Sequence, residues 1–284
     1  MNITITKEMM QAHIRRLTPI PTGEVSEGKP FGVIRCILFD IYGTLFISAS
    51  GDIGFLESRR ENDERLKKLM KSYCIKGEPI DLKEKLVYAI KRKHVESKIM
   101  GVDYPEIRIE EIWQEYFDFE DKDSAYRFAL EYELIVNPVY PMPHLAETLS
   151  AIKKKGLYMG IISNAQFYTP LLFSAFFGQN LSDIGFDADL CLYSFEHGRG
   201  KPSPFLYSEA ANRLAKIGIS PQETLYIGND MLKDILPAGV IGFQTCLYAG
   251  DKRSLRKREG LPEIQGVKPG MIVTDLHELN KIIC

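Results

Sequence analysis

Long apolar runs and an excess of charge of either sign are both missing from this sequence. No stretch is long and apolar enough to span a bilayer. The formal net charge over 284 residues is −2, whereas a nucleic-acid-binding protein usually carries a clear basic excess. We therefore expect a soluble protein whose main partner is neither a membrane nor a nucleic acid.

Cysteine is sparse, and its spacing indicates no paired function. The five cysteines are far apart and have no cluster of histidines beside them, so the sequence predicts neither a zinc site nor a disulfide framework. Three lie in strand-like runs, which is typical of buried reduced thiols. The first residues also lack the charged-then-apolar order of a signal peptide. Together these features predict cytoplasmic localisation. The cysteines are Cys36, Cys74, Cys191, Cys246 and Cys284.

The composition that is present is ordinary for a globular protein. Hydrophobic residues make up 45% of the chain and charged residues 26%. No internal repeat or low-complexity segment is visible. A length of 284 residues exceeds one average domain, so the chain has room for a core domain and an insert.

Hydrophobic periodicity divides the chain into three parts. Residues 1–32, with a short predicted helix at 7–17, form an N-terminal extension that we interpret as an arm on the core, with an interaction tail as the alternative. Residues 48–138 repeat apolar side chains at helical spacing, which predicts an all-helical insert with a hinge at 50–54. Three prolines in NPVYPMP end it.

The remaining residues, 33–47 and 139–284, alternate strands with helices. This order predicts an α/β core with a doubly wound parallel sheet. Asp275 and Glu278 predict a capping box for the last helix. The basic segment 251–260 predicts a solvated surface loop rather than an anion site. Core strands are predicted at residues 33–39, 157–162, 190–193, 224–227, 243–247 and 271–273, and core helices at 145–155, 168–177 and 204–217.

Polar residues follow four of the predicted strands. Asp40 directly follows the first strand, Ser163 follows the second, and Asp230 follows the fourth. Lys201 comes after the third strand, on a loop that two prolines stiffen. Because the carboxyl ends of parallel strands share one edge of a sheet, we expect these side chains to meet there and form a ligand site.

These segments resemble the motifs of the haloacid dehalogenase-like superfamily. The apolar strand runs into Asp40-x-x-Gly43-Thr44, and IISN, GKPSPFLY and YIGNDMLKD follow in the family's order. Together the core segments cover most of the chain. The resemblance implies a Rossmann-like core and identifies the helical insert as a helical (C1-type) cap.

The resemblance also implies roles for individual side chains. By itself Asp40 is a turn cap or a carboxylate nucleophile that forms a covalent intermediate, and the resemblance favours the nucleophile. Ser163, Asn164 and Thr44 are expected to bind phosphoryl oxygens, although Ser163 could instead cap the following helix. Lys201 is expected to pair with substrate charge and with Asp40.

A magnesium site is predicted from the acidic residues near Asp40. Asp230 and Asp234 would repel that carboxylate unless a cation compensated them, and an all-oxygen site with a phosphate suits Mg²⁺. The expected ligands are Asp40, the backbone carbonyl of Tyr42 and either Asn229 or Asp230. Asp234 is expected to support the site from the outer shell or through water.

The sequence therefore predicts a Mg²⁺-dependent phosphohydrolase or phosphotransferase acting on a small phosphorylated metabolite. Two alternatives stay open. A metal-independent 2-haloacid dehalogenase shares the Asp-x-Tyr-Gly-Thr motif and uses its Asp to attack carbon. A catalytically weak regulatory module would bind phosphoryl groups without turnover. The extra carboxylates favour a metal site, because a cation would compensate them. The sequence predicts neither the physiological substrate nor the oligomeric state.

Tyr42 stands where the usual phosphatase form of the motif has a second Asp. Such an Asp protonates the leaving group and then activates water. A phenol, with a reference pKa of about 10, is poorly matched to the second role. We therefore expect slow hydrolysis of the aspartyl phosphate unless another group or the substrate activates water, and faster hydrolysis in Tyr42→Asp.

Overall fold

A seven-stranded sheet forms the centre of the fold in the computed structural model, which describes residues 7–49 and 60–282. Two short antiparallel strands, β3 and β4, form a separate sheet. Along the chain, β3 follows the core strand β2, and β4 precedes the core strand β5. The strands in the described ranges are β1 Glu27–Gly28, β2 Cys36–Phe39, β3 Phe46–Ser48, β4 Val139–Pro141, β5 Tyr158–Ser163, β6 Phe186–Tyr193, β7 Thr224–Gly228, β8 Gln244–Tyr248 and β9 Met271–Val273.

The sheet is parallel except at one edge. Its strand order is β1-β9-β8-β7-β2-β5-β6, and β1 alone runs antiparallel to its neighbour. The predicted α/β fold with a doubly wound parallel sheet is confirmed. The sequence did not predict β1, β3 or β4, because strands of two or three residues show no periodic pattern, and β9, which is as short as β3, was predicted only from its short apolar run.

Strand β2 lies at the centre because each of its side chains is apolar and fully buried. Successive side chains point to opposite faces of a strand. Ile37 and Phe39 accordingly join one hydrophobic cluster, while Cys36 and Leu38 join a second cluster on the other face. A central strand that is apolar on both faces requires a helical layer on each side.

Helices supply these two layers. Helix α6 packs against the Phe39 face, and α10 packs against the Leu38 face. Short 3₁₀ turns occupy Pro221–Glu223, Pro262–Ile264 and Leu276–Glu278, and a π-helical turn occupies Met231–Ile235. The α-helices in the described ranges are α1 Lys7–His13, α2 Arg60–Ser72, α3 Pro79–Ile99, α4 Ile109–Tyr116, α5 Lys122–Val136, α6 Leu145–Lys154, α7 Leu171–Phe177, α8 Leu181–Ile184, α9 Ser194–His197, α10 Phe205–Lys216, α11 Leu236–Ile241 and α12 Leu279–Ile282.

Four helices, α2 to α5, follow β3 and precede β4. An aromatic cluster joins α4 to α5, with the buried ring of Trp113 centred 4.8 Å from Phe128 and 5.0 Å from Tyr132. Aromatic contacts of this kind add to the energy of area burial. The predicted hinge at residues 50–54 lies outside the described residues. Strand β4 lies within the proline-rich connection; Pro141 is tolerated there because β4 pairs with a single partner.

The N-terminal segment lies along the core. Helix α1 ends at His13, earlier than the predicted end at residue 17. The following chain is held by Thr22, which donates to the backbone oxygen of Ala249, and by β1. After β9, the predicted capping box of Asp275 and Glu278 is confirmed, at a 3₁₀ turn that precedes α12. Within residues 7–49 and 60–282, no helix is long and apolar enough to cross a membrane.

Candidate active site

The polar residues predicted at the carboxyl edge of the sheet meet there. Asp40 follows β2, and its Oδ1 accepts a hydrogen bond from Ser163 Oγ at 2.8 Å. Lys201 Nζ, from the loop after α9, lies 2.8 Å from the same oxygen. All three side chains are buried, with Asp40 6% exposed and Lys201 5% exposed. The ends of the neighbouring parallel strands β2 and β5 thus place a carboxylate and a hydroxyl side by side, and the loop after α9 adds an ammonium group.

Lys201 also bonds to Asp234, with 2.6 Å between Nζ and Oδ1. Burial opposes the charged form of Lys201, but Asp234 and Asp40 outweigh it, so the pKa of the ammonium group is raised. Burial raises the pKa of the Asp234 carboxyl, although Lys201 acts in the opposite direction. One ammonium group thus compensates two buried carboxyl groups.

Asp234 organises the loop that follows β7. Its Oδ2 accepts the backbone N–H groups of Asn229 and Asp230 at 3.0 and 2.9 Å, and its Oδ1 accepts the Tyr226 hydroxyl at 2.9 Å. A Cβ at Gly228 would lie 2.4 Å from the Asp234 carboxyl carbon, so only glycine fits this approach. Asp234 therefore fixes the backbone beside Asp40 rather than facing open solvent.

Asn229 is held against the turn that follows Asp40. Its Oδ1 accepts the Thr44 hydroxyl at 3.2 Å, and its Nδ2 donates to the backbone oxygen of Ser254 at 2.6 Å. Gly43 has a φ of +85°, and a Cβ there would lie 2.6 Å from both Asn229 and Ser254. The chain therefore makes a tight turn at Gly43 that only glycine fits. Thr44 is fully buried, and its hydroxyl donates its hydrogen bond to the Asn229 side chain.

Asp230 is neutralised by an arginine. Arg258 Nη2 lies 2.6 Å from Asp230 Oδ2, and Arg258 Nε also donates to this carboxylate. The other carboxylate oxygen accepts the backbone N–H groups of Leu232 and Lys233 and so caps the π-helical turn. Both oxygens of Asp230 therefore have protein partners.

The basic segment 251–260 is only in part the solvated surface loop that the sequence predicted: Lys252, Lys257 and Glu259 are exposed, but other residues of the segment are buried or line the cavity. Asp251 is 1% exposed and Ser254 3% exposed, and Arg253 pairs with Asp251. Arg256 and Arg258 line the same cavity as Asp40. The sequence suggests a solvated loop because Asp230, the carboxylate partner of Arg258, is distant along the chain. The two residues come together only in the folded structure.

Tyr42 and Asn164 complete the set of predicted residues. Asn164 Oδ1 accepts the Lys201 backbone N–H at 2.7 Å, so Asn164 positions the lysine loop. The Tyr42 hydroxyl lies 3.0 Å from Thr169 Oγ1. Burial, followed by the charge of Glu133, raises the pKa of the Tyr42 phenol well above its usual value. The phenol is therefore neutral at physiological pH.

A cavity of about 640 Å³ lies above Asp40 and is roofed by residues from the helical segment. Among them, Glu106 accepts Ser194 Oγ at 2.8 Å and Gln166 Nε2 at 3.2 Å, and burial raises the pKa of its carboxyl group. These bonds tie the helical segment to the core loops. Sequence reasoning did not single out these lining residues, because each lies in an ordinary helical or loop pattern: Glu106, Glu133, Gln166, Tyr168, Arg256 and Arg258.

Comparison with known proteins places the chain in a family. A model of the haloacid dehalogenase-like hydrolases matches residues 34–242, most of the chain. The chain belongs to the haloacid dehalogenase-like hydrolase family. It is accordingly a hydrolase.

Two relatives in this family are named as phosphatases. The chain is 26% identical over 230 residues to phosphoglycolate phosphatase from Escherichia coli, which covers 75% of this chain and 80% of that protein. It is 27% identical over 216 residues to glyceraldehyde 3-phosphate phosphatase from Methanocaldococcus jannaschii, which covers 75% of this chain and 84% of that protein.

Solved structures with the same fold include both kinds of enzyme. A 2-haloacid dehalogenase from Pseudomonas syringae pv. Tomato has a TM-score of 0.54 at 20% identity and covers 88% of this chain and 98% of its own. A phosphatase of this family from Thermococcus onnurineus has a TM-score of 0.51 at 20% identity, with the same coverage of each chain. At this sequence identity the structural similarity establishes only the fold, so the reaction has to be inferred from the residues of the site.

Proposed function

We propose that this hydrolase is a phosphatase that removes the phosphoryl group from a small phosphorylated metabolite through an aspartyl phosphate on Asp40. The observation that carries the proposal is the contact of Asp40 with Ser163 and Lys201 at the floor of the cavity. A buried ammonium group and a hydroxyl beside a carboxylate suit the capture of a phosphoryl group. The two curated relatives named above are phosphatases, which supports water as the acceptor rather than another hydroxyl compound.

The reaction proceeds in two steps in this proposal. An Asp40 oxygen attacks phosphorus while the bond from phosphorus to the leaving oxygen breaks, and the leaving oxygen takes up a proton. Water then attacks the phosphorus of the aspartyl phosphate, which releases inorganic phosphate and restores the carboxylate. Lys201 offsets the negative charge that gathers at the phosphoryl oxygens. The Ser163 hydroxyl, which donates to Asp40 in this structure, would turn its single hydrogen to a phosphoryl oxygen when the substrate is bound. With a phosphotransferase, another hydroxyl would replace the water.

The oxygen donors beside Asp40 fit Mg²⁺. Asp40 Oδ1 takes both protein contacts, which leaves Oδ2 available. Asn229 Oδ1 and the Tyr42 carbonyl are neutral oxygens on adjoining loops, and an amide oxygen with one hydrogen bond has a second lone pair. Mg²⁺ commonly binds through one or two carboxylates together with water and phosphate. When bound, the ion would neutralise charge on the phosphoryl oxygens.

The geometry supports Asn229 rather than Asp230 as the direct ligand. Both Asp230 oxygens already have partners, including Arg258. Asp234 supports the site by holding the Asn229 and Asp230 amides. No group of three or more histidine, cysteine or acidic side chains is arranged as a metal site in the part of the chain that the structure describes. A metal here would therefore depend on Asp40 and on neutral oxygens.

One observation favours a second candidate, a 2-haloacid dehalogenase. Arg258 pairs with Asp230, so that carboxylate requires no metal for compensation, and Lys201 compensates part of the charge of Asp234 and Asp40. This weakens the argument from sequence that the extra acids select a metal-dependent reaction. In a dehalogenase, Asp40 would attack carbon and displace halide.

A substrate screen with and without Mg²⁺ separates these functions. The panel is a set of small phosphate esters, including 2-phosphoglycolate and glyceraldehyde 3-phosphate, and a set of 2-haloacids. We expect Mg²⁺-dependent phosphate release and no halide release. Halide release without metal would overturn the proposal in favour of the dehalogenase. Tight phosphate-ester binding with no turnover would indicate the regulatory module instead.

A further inference from the structure

Glu133 is a carboxylate in the active-site cavity that the proposed mechanism leaves unused. It lies on α5, in the helical segment that roofs the cavity, and lines the same cavity as Asp40 and Tyr42. Its side chain is half-buried, unlike that of an ordinary surface glutamate. The neighbouring residues therefore affect the chemistry of its carboxyl group.

Neighbouring polar side chains hold Glu133 in place. Asn137 Nδ2 donates to Glu133 Oε1 at 2.9 Å, and Ser48 Oγ in turn donates to Asn137 Oδ1 at 2.8 Å. The Tyr168 phenol lies beside the same carboxyl group. Supporting hydrogen bonds of this kind orient a functional side chain. Glu133 is therefore presented to the cavity in a defined position.

Glu133 also lies next to the position where this chain departs from the phosphatase motif. Tyr168 precedes Thr169, and Thr169 Oγ1 lies 3.0 Å from the Tyr42 hydroxyl. After burial, the charge of Glu133 is the largest cause of the raised pKa of Tyr42. The carboxyl group missing at position 42 is thus matched by one that α5 supplies to the same cavity.

We propose that Glu133 is the acid and base of this site and replaces the Asp that Tyr42 displaces. In the first step the protonated carboxyl group gives its proton to the leaving oxygen as the bond from phosphorus to that oxygen breaks. In the second step the carboxylate takes a proton from the attacking water as the new bond to phosphorus forms. The proton acquired there restores the acid for the next cycle. This inference rests on the proposed function of Asp40.

The surroundings of Glu133 suit both roles. Burial raises the pKa of its carboxyl group, which is the direction in which enzymes tune a carboxyl group that acts as acid and base. No cation is among the groups that shift this pKa, within residues 7–49 and 60–282. The titratable groups around it are the phenols of Tyr168, Tyr42 and Tyr132, whose own pKa values burial raises. Other ionisable groups line the same cavity, namely His94, Lys98, Asp103, Tyr104, Glu106, Lys201, Lys233, Arg256 and Arg258, together with Asp40, Asp230 and Asp234.

The decisive experiment measures the two steps separately in Glu133→Gln. Rapid-quench trapping with a phosphate ester reports formation of the aspartyl phosphate and its breakdown. We expect the variant to accumulate the intermediate and to hydrolyse it about 10²-fold or more slowly, the usual range for losing acid–base assistance. In the wild type, breakdown should quicken as pH rises through the Glu133 pKa, because only the ionised form accepts a proton. That rise should be lost in Glu133→Gln.

Three further variants separate catalysis from structure. Glu133→Asp keeps the acid and should retain part of the rise with pH. Tyr42→Asp combined with Glu133→Gln returns a carboxyl group to the motif position and should restore breakdown. Glu131→Gln is the matched control, since Glu131 lies on the same helix but faces His13 and Tyr73 instead of the cavity. It should hydrolyse the intermediate at the wild-type rate.

The outcomes distinguish this inference from the proposed function. Breakdown in Glu133→Gln at the wild-type rate with an unchanged pH profile would overturn the role of Glu133 and leave Asp40 in place. Failure to trap an aspartyl phosphate in any variant, with steady phosphate release throughout, would overturn the proposed mechanism itself. If Glu133→Gln misfolds, the pH profile of Glu133→Asp decides: a profile without the rise refutes the inference.

Discussion

At the scale of single residues, the site depends on one buried ion pair. Asp40 contacts Lys201, and Lys201 also contacts Asp234. A buried charge without a partner is costly, so each member of this group is held by the others. Because Lys201 retains Asp234 when Asp40 changes, Asp40 can be neutralised without leaving the ammonium group unpaired.

Asp40→Asn is therefore expected to abolish turnover and preserve the fold. An amide is a poor nucleophile, and loss of a nucleophile typically lowers kcat by about 10³-fold or more. Phosphate release measures the activity, and thermal unfolding measures the fold. The matched control is Asp189→Asn, an exposed carboxylate on β6, which should behave as wild type. Wild-type turnover in Asp40→Asn would remove Asp40 from the mechanism.

At the scale of elements, the loop 251–260 closes one side of the site. Its Ser254 backbone oxygen accepts Asn229, and its Arg258 pairs with Asp230. Asp230 in turn caps the π-helical turn that carries Asp234. A basic loop distant in sequence thus supports the acidic loop that follows β7.

Arg258→Gln is expected to lower the free energy of unfolding by about 1 to 3 kcal/mol, because Asp230 is largely buried and loses its charge partner. Urea unfolding measures the change. Lys257→Gln provides the comparison: Lys257 pairs with Glu24 and Glu259 at the surface, and its loss should cost less than about 0.5 kcal/mol. Equal effects of the two substitutions would contradict the assigned support of Asp230.

At the scale of the whole molecule, the candidate site joins the core to the helical segment. The cavity is bounded below by Asp40 and Lys201, from the core loops, and above by His94 and Glu133, from α3 and α5. A ligand that contacts both sides would bind the folded protein and not the unfolded chain. Ligand binding should therefore stabilise the molecule as one unit.

Mg²⁺ with orthovanadate, a phosphate mimic, is expected to raise the unfolding temperature. A ligand at 100 times its Kd adds about 2.7 kcal/mol of stability. Asn229→Ala should reduce this gain more than Asp230→Asn does, because the Asn229 oxygen is the expected direct ligand. Calorimetry measures Mg²⁺ binding directly. If the intact protein binds no Mg²⁺ even with the mimic present, the metal assignment fails.

The sequence by itself determined the α/β fold, the approximate positions of the core strands, and the residues at their carboxyl ends. These features are local: apolar runs mark buried strands, and Asp40, Ser163 and Asp230 lie at their carboxyl ends or within two residues of them. Element ends were less predictable, since β6 begins at Phe186 although only its last residues look strand-like. Short strands such as β3 carry too few residues for a pattern.

Only the tertiary structure decided which charges compensate one another and what roofs the cavity. Arg258 reaches Asp230 from a loop that reads as solvated, and Glu133 reaches the cavity from a helix whose pattern marks only its apolar face. Such pairs are set by the packing of elements that are distant along the chain, and the local periodicity of the sequence does not reveal that packing. The sequence places a carboxylate directly after the first core strand and its motifs resemble those of a family in which this residue is the nucleophile, but the partners that tune its surroundings depend on the fold.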